Sequence, residues 1–549
     1  MVHPRRLHVQ GVADPILHHQ VQAEVVVIQL LPDQEAVVVE VHQAAVVVEE
    51  DAGKFYQTLN FSTMKSAIIV ILLTLSCSLI MGQTAEDALR FSRVFYSGTA
   101  RFNGLSGAFG AVGADFSTLA TNPAGIGLYK GSEMTFTIAP TVGSSSASYN
   151  GFVTNDNRVN FGLGNFGFIF NINPNGRNKT GVLKSINVGF GFNRQNDFNN
   201  QVVINGLNNE NSMMQSYANT LNTERIPPAA VQDTYPFDIG LAYGTNLVFY
   251  DSATNRYYCD AAYGGVMQNK IINTYGSMNE LDFSFGANIS DKFFIGLTLG
   301  VPSINYYENS SYRETRSSAT VPNFIALNYR YNLQTRGTGI NVKFGMIYKP
   351  AEWVRIGASI HTPTWFPSMR DIWFSSMQSS FDSTYWNAIQ YSPEGYYDYH
   401  LTTPFRAMGS LAFIIGQYGL LSADYEYVNY SQARFNSDWD SYTDVNDQIK
   451  SDYQSWGNIR IGTEWRLSNF RLRGGFAYFS NPYTQGTQNS QRFQASGGFG
   501  YRAKYFFADV TYVWTRMNQD YYLYDPAMVN PAAIAYNTNT VYTTIGFRF

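Results

Sequence analysis

The chain has 549 residues and a formal net charge of −4, which gives no electrostatic argument for nucleic-acid binding. Aromatic residues make up 16% of it and charged residues only 14%, against about 25% charged residues in ordinary soluble domains. Its mean hydropathy of −0.20 excludes a bundle of transmembrane helices. This balance is typical of a transmembrane β-barrel, in which only alternate residues meet lipid.

Residues 1–63 differ in composition from the rest of the chain. No aromatic residue precedes Phe55, and three valine triplets lie in surroundings rich in glutamine, glutamate and alanine. The triplets could form short strands or part of a regulatory arm. We interpret 1–63 instead as a disordered, non-native upstream extension and predict that the natural start is Met64.

Residues 64–83 have the organisation of a signal peptide. Lys65 precedes an apolar run over 67–75, and small and polar residues follow as far as Gln83. The run is too short to span a bilayer comfortably. Cys77 would suggest a lipoprotein, but the position three residues before it is Thr74 and not leucine. Cleavage near Gln83 removes Cys77, so the mature chain keeps one cysteine, Cys259, and no internal disulfide.

Residues 84–131 are predicted to form an N-terminal hatch inside a barrel lumen. Its stretch 101–129 has too many glycines for a helix and too few charges for a solvated linker, and a turn follows the glycine repeat. The predicted hatch and gating residues are Gly104, Gly107, Gly110, Gly113, Asn122, Pro123, Ala124 and Gly125. The apolar residues expected to contact a hydrophobic ligand are Phe102, Leu105, Phe109, Phe116 and Leu119.

Residues 132–549 alternate between apolar and small or polar side chains, as the segments 186–192 and 340–346 show most clearly. Short turns, near 289–292, 349–352, 416–419, 467–469 and 503–504, alternate with longer polar connections, near 363–401, 433–455, 482–490 and 518–539. Short turns on one side and long loops on the other are typical of outer-membrane barrels. We therefore predict an all-β chain that forms an antiparallel transmembrane β-barrel.

Counting back from the C-terminus gives fourteen strands, near 132–140, 158–172, 182–195, 274–290, 292–308, 331–349, 352–362, 402–416, 418–432, 456–467, 469–481, 491–503, 505–517 and 541–549. The count requires residues 196–273 to be a single external insertion, within which 213–221 could form a short helix. Residues 237–243 alternate like a strand, and sixteen strands would result if 237–250 and a partner entered the membrane.

The chain ends on Phe549, the last apolar residue on one face of an alternating strand. Barrel-assembly machinery generally reads such a terminal aromatic residue, so Phe549 is the predicted assembly signal. We expect a monomeric, multi-pass protein of the outer membrane, in contact with its lipid.

No pattern in the sequence argues for catalysis. The glycines of 107–113 have the wrong spacing for a dinucleotide loop. The mature chain keeps only His361, expected in a turn at the outer rim, and His400, expected in a solvated loop. No Cys/His cluster has metal-ligand spacing. We therefore predict no enzymatic activity, no cofactor and no metal.

Several motifs together resemble the FadL/TodX family of outer-membrane transporters for long-chain fatty acids and other hydrophobic compounds. They are the glycine-rich lead-in, the Asn-Pro-Ala-Gly motif at 122–125, the strand at 133–140 and the hairpin at 337–366, with 424–427 and 473–475 as weaker matches. The resemblance covers 85–549 and is closest to a Bacteroidetes-type branch whose members are sometimes labelled hemin receptors. It implies a fourteen-stranded barrel with an N-terminal hatch.

The resemblance implies passive import of a hydrophobic small molecule. The insertion at 196–273 departs from the family pattern, and Arg225 and Arg330 are only candidates to meet a fatty-acid carboxylate. Three alternatives stay open: a general porin for small polar solutes, a surface receptor that binds haem or a partner, and a soluble all-β enzyme.

Overall fold

The computed structural model describes residues 83–172, 181–262, 265–317, 323–383, 386–484 and 488–549. The predicted upstream extension and signal peptide, apart from Gln83, lie outside the described residues. Among the described residues, no helix has the length and apolar character needed to cross a membrane.

One antiparallel sheet closes into a barrel, because the first strand pairs with the last from Glu133 opposite Arg548 to Ser148 opposite Ala533. Its segments in the described chain are β1 (Glu133–Tyr149), β2 (Phe152–Ile172), β3 (Leu183–Asp197), β4 (Asn200–Asn208), β7 (Val266–Ile289), β8 (Phe293–Arg316), β9 (Phe324–Ala351), β10 (Val354–His361), β11 (Trp365–Phe381), β13 (Gly395–Thr402), β14 (Arg406–Ile415), β15 (Gly419–Asn429), β16 (Arg434–Asn436), β17 (Ser455–Leu467), β18 (Phe470–Phe479), β19 (Arg492–Arg502), β20 (Phe506–Tyr521) and β21 (Ala532–Arg548). Shorter segments are β5 (Phe249–Asp251) and β6 (Arg256–Tyr258), which pair together, and β12 (Ile389–Tyr391), which pairs with β11.

Four barrel strands are each made of two segments, namely β3 with β4, β10 with β11, β13 with β14, and β15 with β16. The described residues therefore form fourteen barrel strands, and the predicted count is confirmed. The five short turns predicted from the sequence all lie at one end of the barrel, which we call the short-turn end; the opposite end is the long-loop end.

Alternation along the strands produces an apolar outer surface. In β9, Ile340, Val342, Phe344 and Met346 are exposed, whereas Asn341 and Lys343 between them are buried. Tryptophans and tyrosines flank this surface near the short-turn end, including Trp353, Tyr418, Trp465 and Tyr505. An apolar band edged by aromatic residues is the pattern of a barrel in lipid.

Several strands extend well beyond the predicted bounds at the long-loop end. Residues 363–401, predicted as a polar connection, contain β11, β12 and β13. The β1–β2 hairpin also reaches further than predicted and turns at Asn150-Gly151, both of which have positive φ. Asn-Gly is the usual sequence of such a turn. Residues this far along the strands need no apolar face, so hydrophobic alternation does not mark them.

The insertion predicted at 196–273 is shorter in the structure, because β4 and the start of β7 extend the barrel into its two ends. The described residues between these two segments contribute no barrel strand. They contain helices at Met213–Glu224, Val231–Thr234 and Ile239–Gly244 as well as the β5–β6 hairpin. Residues 237–243, whose alternation resembles a strand, lie partly in the last of these helices, so the sixteen-strand alternative is wrong. Buried residues of the insertion pack against barrel residues at the long-loop end, among them Tyr312, Phe324 and Met377. A further helix at Thr443–Asp452 lies in another long connection.

Candidate functional site

The segment after Gln83 folds into short elements joined by tight turns. Helix Ala85–Ser92 begins with a capping box between Thr84 and Asp87, and Thr99 caps the next short helix, Ala100–Gly104. Two single-turn helices follow, Phe116–Ala120 and Pro123–Leu128. Side chains that accept backbone N–H groups at helix starts stabilise such small elements.

This segment lies inside the barrel, because its atoms fill space that side chains of the wall would otherwise occupy. A Cβ atom on wall residue Gly357 would lie 2.3 Å from the carbonyl oxygen of Gly110. A Cβ atom on Gly296 would lie 2.1 Å from the carbonyl oxygen of Pro123. Gly345, Gly462 and Gly475 are approached in the same way by other residues of the segment. We call these five wall glycines the hatch seat.

Polar contacts from strands around the barrel fix the segment in this position. One carboxylate oxygen of Asp424 accepts the backbone N–H groups of Phe109 and Gly110, each at 2.9 Å. On other strands, the carbonyl oxygen of Ala100 accepts from Thr511 at 2.6 Å, and that of Val112 accepts from Arg355 at 2.6 Å. The segment therefore contacts opposite sides of the lumen.

Buried ion pairs surround the hatch seat. Lys343 pairs with Glu280 and with Asp282, and Glu426 pairs with Arg406 and Arg460. Further charged side chains form a third group, which contains Arg473, Asp509, Arg502, Glu464 and Arg101 of the hatch. We call these three groups the charged collar.

Arg101 shows the electrostatics of the collar. Its Nε lies 3.1 Å from Glu464 Oε2, and one of its terminal nitrogens lies 3.9 Å from Asp115. Although burial lowers it, the neighbouring carboxylates of Glu464 and Asp115 together raise the pKa of Arg101 above its ordinary value. The hatch thus contributes a charge that the wall neutralises.

The backbone ladder between β2 and β3 ends part-way along the barrel. Its last pair toward the long-loop end is Asn165 with Asn193, and the part of β2 beyond it has no backbone partner on that side among the described strands. Val159 and Phe161, which lie on this edge, are more than 70% exposed. Side chains alone bridge the break, as Gln201 does to Asp156 at 2.7 Å.

The hatch takes the place that β2 leaves. The N–H of Phe95 donates to the carbonyl oxygen of Gln195 at 2.7 Å, and that of Ser97 donates to the carbonyl oxygen of Arg194 at 2.9 Å. Ser97 and Arg194 form an antiparallel bridge. A displacement of the hatch would therefore act directly on the strand beside the break.

Above the hatch seat, toward the long-loop end, lies a cavity of about 340 Å³. Its wall comes from helix Ala85–Ser92 and the residues after it, from the junction of β3 and β4, and from the last three barrel strands. Aromatic side chains and arginines are part of this wall, among many small and polar residues. Such a concave space within a barrel is a usual place for a small-molecule site.

The predicted hatch residues are all in the lumen. The five apolar residues predicted to contact ligand are buried between the hatch and the wall and do not line the cavity. Gly107 and Gly113 have φ values of +82° and +68°, which favour glycine. Asn122 caps the last short helix and donates to the carbonyl oxygen of Gly110 at 2.6 Å. The gating and ligand roles of these residues stay predictions.

The structure corrects the expected placement of other residues. His361 is not in a rim turn; it is buried, and its Nε2 lies 2.6 Å from the carbonyl oxygen of Thr121 in the hatch. Arg225 and Arg330 are exposed and lie outside the cavity. The cavity arginines, Arg90, Arg93, Arg194 and Arg492, were not foreseen, because no local pattern reveals which positions meet in the lumen.

No protein-family model matches the chain, and no curated protein matches it in sequence. Among solved structures, a Pseudomonas aeruginosa FadL homologue is 11% identical and aligns over 83% of this chain and 98% of its own, with a TM-score of 0.49. The toluene transporter TodX of P. putida is 10% identical over 83% of this chain and 98% of its own, with a TM-score of 0.46. The toluene transporter TbuX of Ralstonia pickettii is 14% identical over 81% of this chain and 98% of its own, with a TM-score of 0.44. Two of these neighbours carry the FadL and TodX names.

Proposed function

We propose that the protein is an outer-membrane channel for the passive import of hydrophobic small molecules, and that residues 84–131 are its movable hatch. Long-chain fatty acids and aromatic hydrocarbons are the candidate ligands. The outward-facing apolar band supports a position in lipid, since unpaired backbone and exposed polar surface are costly there. The terminal Phe549, whose backbone pairs with Ser132, is our proposed signal for the barrel-assembly machinery.

The observation that carries this proposal is the occupied lumen. A general porin for polar solutes needs an open water-filled bore, whereas here the hatch, the hatch seat and the charged collar fill the short-turn half. A solute can pass only if the hatch moves or if the solute leaves sideways above it. The closeness of the hatch to the wall glycines supports a fitted plug that keeps other solutes out.

The break in the ladder supplies the second route. A ligand that enters the cavity from the long-loop end would reach the junction of β3 and β4 above the hatch seat. From there it could pass Val159 and Phe161 into lipid once the bridging side chains part. Transfer of each CH₂ group from water to an apolar environment gains about 0.8 kcal/mol, which would drive a hydrophobic ligand along this path.

A disulfide between hatch and wall tests the proposal. The hydroxyl oxygens of Ser106 in the hatch and Ser496 in β19 lie 2.9 Å apart, so Ser106→Cys with Ser496→Cys should form a bridge. The variant is made in a Cys259→Ala background and reconstituted into liposomes. We expect uptake of radiolabelled palmitate or toluene to fall at least tenfold when the pair is oxidised and to recover on reduction.

The single variant Ser106→Cys is the matched control and should transport equally under both redox conditions. Full uptake with the bridge closed would refute a moving hatch. If neither compound is taken up in either redox state, while small polar solutes permeate freely, the channel function itself is wrong and a porin is favoured.

A further inference from the structure

The cavity differs from the expectation of a purely apolar ligand site. Its wall carries four arginines, of which Arg90 pairs with Asp87 and Arg194 pairs with Asp197. The other two, Arg93 and Arg492, form no ion pair with any described residue. Two guanidinium groups thus line the cavity without an ion-pair partner among the described residues.

The contacts of these two arginines leave hydrogen-bonding capacity free. Arg93 is buried and donates to the hydroxyl and the carbonyl oxygens of Ser490, at 2.6 and 2.9 Å. Arg492 stacks on the ring of Phe95, 4.0 Å from its centroid, and its Nε is buried without a partner. The guanidinium of Arg93 lies 5.0 Å from the same centroid. Both guanidinium groups therefore lie within 5.0 Å of the centroid of one ring.

Such an arrangement is costly unless an anion completes it. Buried charges are normally paired, and a buried unsatisfied donor calls for a missing partner. Arginine is the side chain that best binds a carboxylate in two places at once. The carboxylates of the cavity are not available for this, since Asp197 pairs with Arg194, and Glu308 accepts the Tyr306 hydroxyl at 2.7 Å. Glu86 also lines the cavity, on the first turn of the hatch helix, and its main cationic neighbour is Arg90.

The rest of the wall suits a ring better than a long alkyl chain. Phe95, Tyr96, Tyr483, Tyr521, Tyr536 and Tyr542 all line the cavity. Aromatic side chains attract rings by stacked and edge-to-face contacts. Their hydroxyl groups keep the wall polar, which gives a flexible alkyl chain little advantage over water.

We propose that this cavity binds an aromatic carboxylate, with the carboxylate between Arg93 and Arg492 and the ring against the aromatic wall. This proposal names the class of ligand that binds in the lumen of the proposed channel. It rests on the proposed function only for the claim that the bound ligand is then transported across the membrane. The binding step is independent of transport and can be measured alone.

The test is calorimetric titration of the purified mature protein in maltoside micelles with three probes. They are 2-naphthoate, its neutral relative 2-naphthol, and undecanoate, which has as many carbon atoms as 2-naphthoate. We expect 2-naphthoate to bind at least tenfold more tightly than either of the others. Arg492→Gln should weaken 2-naphthoate about tenfold, the effect of about 1.4 kcal/mol, and leave 2-naphthol within twofold of wild type.

Arg516→Gln is the matched control, because Arg516 lies on β20, next to the strand of Arg492, but does not line the cavity. This variant should leave the affinities for all three probes unchanged. Retention of the compact barrel on unheated gels shows that each variant is folded. Equal binding of undecanoate would overturn the aromatic part of the proposal. Equal binding of 2-naphthol, or an Arg492→Gln variant with wild-type affinity for 2-naphthoate, would overturn the anionic part.

Uptake assays separate this inference from the proposed function. If palmitate or toluene is imported but 2-naphthoate neither binds nor competes, the cavity inference fails and the channel function stands. If 2-naphthoate binds as expected but no hydrophobic compound is imported, the binding site stands and the channel function fails.

Discussion

The two halves of the lumen differ in how their charged side chains are balanced. In the short-turn half, every arginine and lysine of the charged collar has a carboxylate partner, and hatch and wall are in close contact. In the long-loop half, the cavity holds two arginines without an acidic partner among the described residues. The paired charges of the short-turn half hold the hatch in place, whereas the cavity of the long-loop half leaves space and unpaired positive charge for a ligand.

Arg93 and Arg101, two of the three arginines of the hatch, show the same contrast. Arg101 lies among carboxylates that raise its pKa, while burial lowers the pKa of Arg93, which has only tyrosines near it to oppose that effect. They are eight residues apart in the sequence, yet they reach opposite electrostatic environments. A single segment can therefore serve as a plug at one end and as part of a binding site at the other.

The largest effect is expected from breaking the collar. Glu426→Ala leaves Arg406 and Arg460 buried and unpaired, which should lower the free energy of unfolding by about 3–5 kcal/mol. Urea unfolding in detergent, followed by tryptophan fluorescence, measures this loss. Glu308→Ala in the cavity half removes one hydrogen bond from Tyr306 and should cost about 1 kcal/mol or less. Equal losses would remove the distinction between the two halves.

A smaller effect is expected from filling the hatch seat. Gly357→Val would place side-chain atoms where the carbonyl oxygen of Gly110 now lies, so the hatch should shift and the barrel lose about 1–3 kcal/mol. We expect a marked rise in ion conductance in planar bilayers.

Gly409→Val is the matched control for this change. Gly409 lies on the neighbouring strand, is exposed, and has open space where a Cβ would be. Its conductance should stay at the wild-type level. A Gly357→Val variant that conducts no better than Gly409→Val would show that the hatch is not seated on this glycine.

The smallest effect on stability is expected in the cavity. Arg492→Gln removes an unpaired cation, so the free energy of unfolding should stay within about 1 kcal/mol of wild type or rise slightly. Arg473→Gln, which removes a collar arginine paired with Glu464 and Asp509, should instead cost about 3–5 kcal/mol in the same urea assay. A large loss for Arg492→Gln would mean that this arginine is part of the structural network.

The sequence by itself determined the fourteen barrel strands and the position of the hatch segment in the chain. The alternation of apolar and polar residues along 340–346 predicts the exposed apolar face that the structure has there. It can be detected locally, because each outward-facing position needs an apolar side chain whatever its neighbours are. Turn parity then fixed the count, although the insertion predicted at 196–273 was drawn too long, because β4 and the start of β7 belong to the barrel. The Asn-Gly pair at 150–151 is the local signal that locates the turn of the first hairpin.

Only the tertiary structure decided which residues meet inside. Strand extensions such as β11 have no lipid-facing requirement and hence no alternation to detect. His361 reaches the hatch, and Arg93 meets Arg492, across hundreds of residues of sequence. Contacts between residues so far apart in sequence depend on the register of every strand pair. They also depend on the closure of the barrel, and closure is a property of the whole sheet. The local sequence thus determines which strands form the barrel wall. Which side chains face each other in the lumen is determined only when the barrel closes.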